Sequence, residues 1–169
     1  MDFRQIAADE ADAAHALYLE VVAWLKAKGV RQWLRALTRE EFRERQARGE
    51  LFAAFEEGRM VATVCLAFEE DDDWEKWIGR EKRWWIKTLA VARASRGRNL
   101  GRQIVEACET KVLQAGANQV YLECVDVGFL PGYYGRLGYD VLQRADITYP
   151  SGNTFPVALM RKGLTRRLP

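Results

Sequence analysis

The stretch Thr88-Leu89-Ala90-Val91-Ala92-Arg93-Ala94-Ser95-Arg96-Gly97-Arg98-Asn99-Leu100-Gly101-Arg102 decides the fold. Its apolar start belongs to a strand pattern over Trp84–Ala92. Arg93–Leu100 is rich in Arg and Gly and has no apolar periodicity. Beyond it, Ile104, Cys108, Val112 and Ala115 recur on one helical face, and Gly116 closes that helix. A strand therefore runs through a glycine-containing turn into a helix. The start of a helix leaves about four N–H groups unpaired and carries roughly half a positive charge. A diphosphate satisfies both. Gly97 and Gly101 let the backbone approach an anion closely, and Asn99 tolerates left-handed dihedrals better than most residues. Arg93, Arg96, Arg98 and Arg102 crowd the same turn, which suits several phosphate groups. No G-K-[ST] follows and no G-x-G-x-x-G is present, so neither a Walker A loop nor a dinucleotide fingerprint explains the segment.

Working outward, residues 2–7 read as a first strand. Ala14, Leu17, Tyr18, Val21, Val22 and Leu25 follow at helical spacing, with Gly29 at the stop. After Gln32 and Trp33, Thr38 and Glu41 form a T-x-x-E capping box that opens a strongly charged second helix ending at Gly49. Leu51–Glu56 and Met60–Phe68 read as strands joined by a hairpin at Glu57-Gly58-Arg59. The acidic run Glu69–Asp73 with Trp74 and Glu75 reads as a loop or short helix between strands. Downstream, Gln119–Val125 is a strand and Phe129–Leu137 a short helical segment. Tyr139–Arg144 and Phe155–Met160 are two last strands, linked through Pro150-Ser151-Gly152-Asn153. The order predicts an α/β domain of the α+β type, with a mixed central sheet of about six to seven strands and about four flanking helices.

The chain has 169 residues, 26 Lys+Arg and 24 Asp+Glu, and a net charge of +2. That length predicts one domain over residues 1–163 with a short basic tail at 164–169. So small a basic surplus argues against a dedicated nucleic-acid binder. Three widely spaced cysteines, Cys65, Cys108 and Cys124, give no disulfide framework and fit a cytoplasmic setting. His15 is the single histidine, so a Cys/His zinc site or a His-based nucleophilic triad is a poor expectation, and no metal is expected. The N-terminus lacks the apolar core of a signal peptide. The longest apolar run, Met60–Phe68, is far short of the ~20 residues a membrane helix needs, so no membrane partner is expected.

Arg96-Gly97-Arg98-Asn99-Leu100-Gly101 resembles the Q/R-x-x-G-x-G/A signature of the GNAT superfamily, the acetyl-CoA-dependent N-acetyltransferases. Gly132-Tyr133-Tyr134-Gly135-Arg136-Leu137-Gly138-Tyr139 is similar to that family's [LF]-Y-x-K/R-x-G-[FY] segment. The order of elements matches over about residues 2–163. Two departures stand out. Asn99 replaces the middle glycine, and Asp126 and Val127 occupy the neighbourhood where the family carries an Asn.

The resemblance implies acetyl-CoA as co-substrate and an amine acceptor, with direct attack in a ternary complex. It sets the pantetheine arm against the backbone of Leu89, Ala90 and Val91, and an N–H near Leu89 as donor to the developing oxyanion. The pyrophosphate would lie on Arg96, Gly97, Arg98, Asn99, Leu100 and Gly101, with Arg102 beside it. An alkyl amine at ~10.4 lies ~3.4 units above neutral pH, so deprotonation costs ~4.6 kcal/mol, within reach of a carboxylate acting through water. Tyr134 takes the family's tyrosine position and would donate to the leaving thiolate. Glu123 and Asp126 are the candidate bases. Glu123 shares a strand face with Tyr121, and Asp126 ends the strand where open α/β sheets gather their sites. The same cradle also suits another acyl-CoA, a hydroxyl acceptor, or a catalytically silent acyl-CoA-binding domain. A homodimer is compatible with all of these readings.

Other features have simpler expectations. The acidic run reads as a solvated loop tip, although it could attract a cationic amine. The tryptophans Trp74, Trp77, Trp84 and Trp85 read mainly as packing, with an acceptor wall as the alternative. His15 is read as structural, and Arg161, Lys162, Arg166 and Arg167 as a solvated basic tail.

Overall fold

The computed structural model describes residues 1–165 except 31, 32, 34, 35, 96, 149–151 and 153. Gln32, Arg96, Pro150, Ser151, Asn153, Arg166 and Arg167 therefore lie outside the described residues. Among those described, seven strands and five α-helices follow in the order β1 (Asp2–Gln5), α1 (Ala11–Ala27), α2 (Arg39–Ala47), β2 (Leu51–Glu56), β3 (Arg59–Glu69), α3 (Glu75–Ile78), β4 (Arg83–Val91), α4 (Leu100–Gln114), β5 (Gln119–Val125), α5 (Leu130–Arg136), β6 (Asp140–Thr148) and β7 (Thr154–Gly163). The strands form one mixed sheet in the order β1-β2-β3-β4-β5-β7-β6. β4 and β5 run parallel, with Trp85 opposite Tyr121. The pairs β1–β2, β2–β3, β5–β7 and β6–β7 are antiparallel.

The chain divides into two compact units. The first comprises Met1–Leu66 and Ile86–Cys108. The capping box of α2 forms there as the sequence predicts: Glu41 N–H donates to Thr38 Oγ1 at 3.2 Å, and Thr38 N–H donates to Glu41 Oε2 at 2.8 Å. Only Phe42 of α2 is buried, packing at 5.1 Å ring-to-ring on both Tyr18 and His15. His15 Nε2 also meets the Leu37 carbonyl at 2.9 Å, consistent with a structural histidine. Tyr18, Val21 and Leu25 form the buried stripe of α1.

The second unit comprises Ala67–Trp85 and Glu109–Pro169. Its strands β6 and β7 are longer than their sequence patterns suggest. Pairing continues outward to Thr148 opposite Thr154, because the ladder satisfies backbone groups even where the side chains are polar. β6 alternates poorly and buries only Ile147 fully, so its apolar signal fades before the strand does. The acidic run leads into the four-residue helix α3, the short helix that is one of the two readings of its pattern. The basic stretch at the end of β7 is not simply solvated. Lys162 Nζ lies 2.9 and 2.8 Å from the two oxygens of the buried Glu109, and Tyr139 O–H donates to the same carboxylate at 3.1 Å. Gly138, at φ +89°, leaves the room this needs: a Cβ there would stand 3.3 Å from the Lys162 side chain.

Candidate functional site

In the first unit, β4 delivers the chain to the turn that opens α4. Leu89 and Val91 are half-buried and Ala90 is fully buried. Just before them, Thr88 adopts φ +50°. For a β-branched residue this left-handed geometry costs roughly 1–2 kcal/mol. Its hydroxyl oxygen is also buried without a hydrogen-bond partner among the described residues. Strain and an orphaned polar atom at one position are the usual mark of a functional segment. The sequence gives no hint of either, because both depend on the backbone path.

After β4, Ala92 N–H donates to the Val61 carbonyl at 2.8 Å, and Arg93–Ser95 form a 3-10 turn. Gly97 and Asn99 then take φ +80° and +57°. Asn99 thus adopts the left-handed geometry expected of it, and its carbonyl accepts the α4 bond from Gln103 N–H at 3.1 Å. The space where a Gly97 side chain would begin is open. The first turn of α4 therefore presents its backbone donors behind an open turn, an arrangement that fits a diphosphate. Leu100 is buried and anchors the helix start.

Two of the arginines, Arg98 and Arg102, already have acidic partners. Arg98 is ion-paired with Glu56, and Arg102 Nε donates to Glu106 at 2.8 Å. Both pairs are exposed and worth at most about 1 kcal/mol, so either arginine can exchange its partner for an anion at little cost. A cleft of about 720 Å³ borders this turn, lined among others by Arg4, Glu10, Phe55, Glu56, Ser95 and Arg98. Arg4 pairs with Glu10 and Arg98 with Glu56, so its charges largely cancel.

In the second unit, Tyr134 lies on α5 and is 8% exposed, with edge-on contacts to Tyr133 and Tyr139. Burial, and then the neighbouring Cys124 and Tyr133, raise its pKa well above the usual phenol value. Tyr134 is therefore a neutral hydrogen-bond donor throughout the physiological range. The Cys124 thiol is pushed up to about 12, chiefly by burial and then by Asp126 and Glu123. All three cysteines are buried. Such thiols are poor nucleophiles, because the thiolate is the reactive form.

The two candidate bases differ in their partners. Asp126 closes β5 and is bound by Arg144 Nε of β6 at 2.8 Å. Glu123 on β5 instead accepts a hydrogen bond from the Trp74 indole N–H, at 2.7 Å on Oε2. Asp126 thus meets a charged donor, and Glu123 accepts from a neutral one. Trp74 and Arg144 are the residues that sequence reasoning missed here. The sequence reading of Trp74, packing or an acceptor wall, did not include a carboxylate partner.

The acidic run is not a free attractor for cations. Arg80 lies 3.7, 3.5 and 3.3 Å from Glu70, Asp72 and Glu75. Among the described residues no group of three or more His, Cys, Asp or Glu side chains is arranged to hold a metal ion. No helix among them is long and apolar enough to cross a membrane.

Residues 18–139 match the model of the Acetyltransferase (GNAT) family. The chain is 24% identical over 142 residues to the uncharacterized N-acetyltransferase YesJ of Bacillus subtilis (strain 168), covering 79% of this chain and 78% of that one. A GNAT-family acetyltransferase of Streptococcus agalactiae 2603 superposes with a TM-score of 0.81 at 14% identity, covering 98% and 96% of the two chains. A GNAT-family acetyltransferase of Listeria monocytogenes 4b F2365 gives 0.79 at 20% identity, covering 96% and 94%. The ribosomal-protein-S18-alanine N-acetyltransferase of Escherichia coli gives 0.71 at 16% identity, covering 99% and 96%. At these identities the structural likenesses establish the fold.

Proposed function

This chain belongs to the GNAT acetyltransferase family, which uses acetyl-CoA as co-substrate, and from that premise we propose that it acetylates a primary amine of a small molecule or peptide by direct attack in a ternary complex. The observation that carries the reading is the strand-to-helix turn. Thr88 within β4 is strained, Gly97 and Asn99 hold the turn in left-handed geometry, and the α4 N–H groups stand behind it.

In this reading the backbone of Leu89, Ala90 and Val91 binds the pantetheine arm. The N–H groups from Arg96 to Gly101 receive the pyrophosphate, with Arg102 at the rim. The N–H near Leu89 donates to the carbonyl oxygen as charge develops on it. The positive φ of Thr88 supports that role, since it turns the chain immediately before Leu89. Such donors are worth about 2.7–4 kcal/mol when aimed at the developing charge. Glu123 removes the amine proton through a water molecule, with Asp126 the weaker candidate because Arg144 holds it.

Tyr134 donates a hydrogen bond to the departing thiolate. Its raised pKa makes complete transfer of the proton uphill, so solvent supplies the thiol proton after departure. The buried cysteines support direct attack over an acyl-cysteine route. The acceptor is an amine, the setting cytoplasmic, and the 1–163 segment works as one catalytic module.

The test is release of free CoA thiol from acetyl-CoA across a panel of amines, amino acids, polyamines and peptides, together with calorimetric binding of acetyl-CoA. Acceptor-dependent release establishes the enzyme. Binding without release on any amine would favour an acyl-CoA-binding domain instead.

A further inference from the structure

Trp74 sits where the acidic run meets α3, in a segment that the reading above leaves without a task. Among the described residues it is the largest side chain with no exposed surface. Most large apolar side chains reach that state by packing alone. Trp74 also spends its single polar atom on a carboxylate, Glu123 Oε2, at 2.7 Å. An indole N–H has no other hydrogen to give and cannot accept, so the bond fixes the direction from which Glu123 is held.

The segment around it is tied down on several sides. Trp74 N–H donates to the Asp71 carbonyl at 3.2 Å, and the Trp77 and Ile78 N–H groups return to the Trp74 carbonyl at 3.0 and 3.1 Å. The Trp74 and Trp77 rings meet at 5.2 Å, and Lys76 Nζ covers the Trp77 ring at 3.8 Å. Arg80 draws Glu70, Asp72 and Glu75 together behind them. A four-residue helix cannot sustain itself in water, so these contacts hold the indole in place.

Resting on the assignment of Glu123 as base, we propose that Trp74 is a positioning residue, which holds the Glu123 carboxylate in its working orientation, and that the inserted segment Glu70–Arg80 exists to present it. Several ionisable groups lie around Glu123. Cys124 and Asp126 share its strand, and Arg144 of β6 reaches this group through Asp126. Arg83 lies over the ring of Tyr121, two residues along β5. The indole N–H of Trp74 donates to Oε2. The indole N–H favours the ionised carboxylate, so its removal raises the pH at which Glu123 becomes available as a base.

The experiment compares the wild-type enzyme with Trp74→Phe, with Trp74 replaced by 3-benzothienylalanine, and with Glu123→Gln. The benzothienyl ring keeps close to the outline of indole and carries sulfur, which cannot donate, in place of the N–H, so it decides the matter even if the Phe variant folds poorly. The readout is kcat/KM against pH in the thiol-release assay, with circular dichroism as the folding check. Both Trp74 variants are expected to lose about tenfold at pH 7 and to move the acidic limb up by at least half a pH unit. In the Glu123→Gln background the same replacements should change the rate less than twofold, since the residues act as one unit. A benzothienyl variant with wild-type rate and limb overturns the proposal. So does a full tenfold loss that persists in the Glu123→Gln background. If Glu123→Gln itself keeps the wild-type rate and profile, the base assignment fails, and the role of Trp74 fails with it.

Discussion

The turn after β4 and the face of β5 and α5 solve different problems with different materials. The turn is built from backbone: two left-handed residues, the start of α4, and two arginines, Arg98 and Arg102, that are engaged with their own acids. The β5–α5 region is built from side chains whose partners come from distant segments, Trp74 on Glu123 and Arg144 on Asp126. A backbone device is encoded by local sequence and tolerates changes to side chains that merely decorate it. A side-chain device depends on each partner and on the fold that brings it there.

Substitutions at the turn and at α5 test that contrast, beginning with the greatest expected loss. Gly101→Glu puts bulk and negative charge at the α4 start and should reduce acetyl-CoA affinity more than a hundredfold, about 2.7 kcal/mol or beyond, by calorimetry. Near wild-type binding would move the phosphate site off this helix. Tyr134→Phe should lower kcat at least tenfold, about 1.4 kcal/mol, while acetyl-CoA affinity stays within twofold. Unchanged turnover at saturating substrate would leave Tyr134 a packing residue.

Thr88→Val keeps the β-branched outline and removes an unsatisfied hydroxyl. Stability should rise by about 1 kcal/mol, or roughly 2–4 °C in Tm. A fall in Tm would mean that the hydroxyl has a structural partner. The smallest effect is expected at Arg98→Gln. Because its side chain already pairs with Glu56 at the surface, acetyl-CoA affinity should fall less than about fivefold, under 1 kcal/mol. A hundredfold loss there would show that the cradle works through side chains, and the contrast between the two regions would collapse.

Several elements were legible because their signals are local. Thr38 and Glu41 announce the start of α2, Gly97 and Asn99 announce left-handed geometry, and the apolar stripe from Ile104 to Val112 announces α4. The resemblance of Gly132–Tyr139 to a family motif singled out Tyr134 before any contact was known. Other features were hidden for physical reasons. β6 is polar along much of its length, so its extent follows from pairing with β7 and not from its own pattern. Lys162 reads as one more solvated cation until β7 sets it against the buried Glu109.

The amino-acid sequence by itself determined the family, the order of the elements and the place of the turn, because helix starts, caps and glycine geometry are written within a few residues of one another. Tertiary structure alone decided which carboxylate is held by a neutral donor and which by a guanidinium. It also decided that Thr88 is strained with an orphaned hydroxyl, and that Trp74 faces a carboxylate. Trp74 and Glu123 are 49 positions apart in the chain. Only the packing of the folded sheet sets their relation, and no spacing rule in the sequence records it.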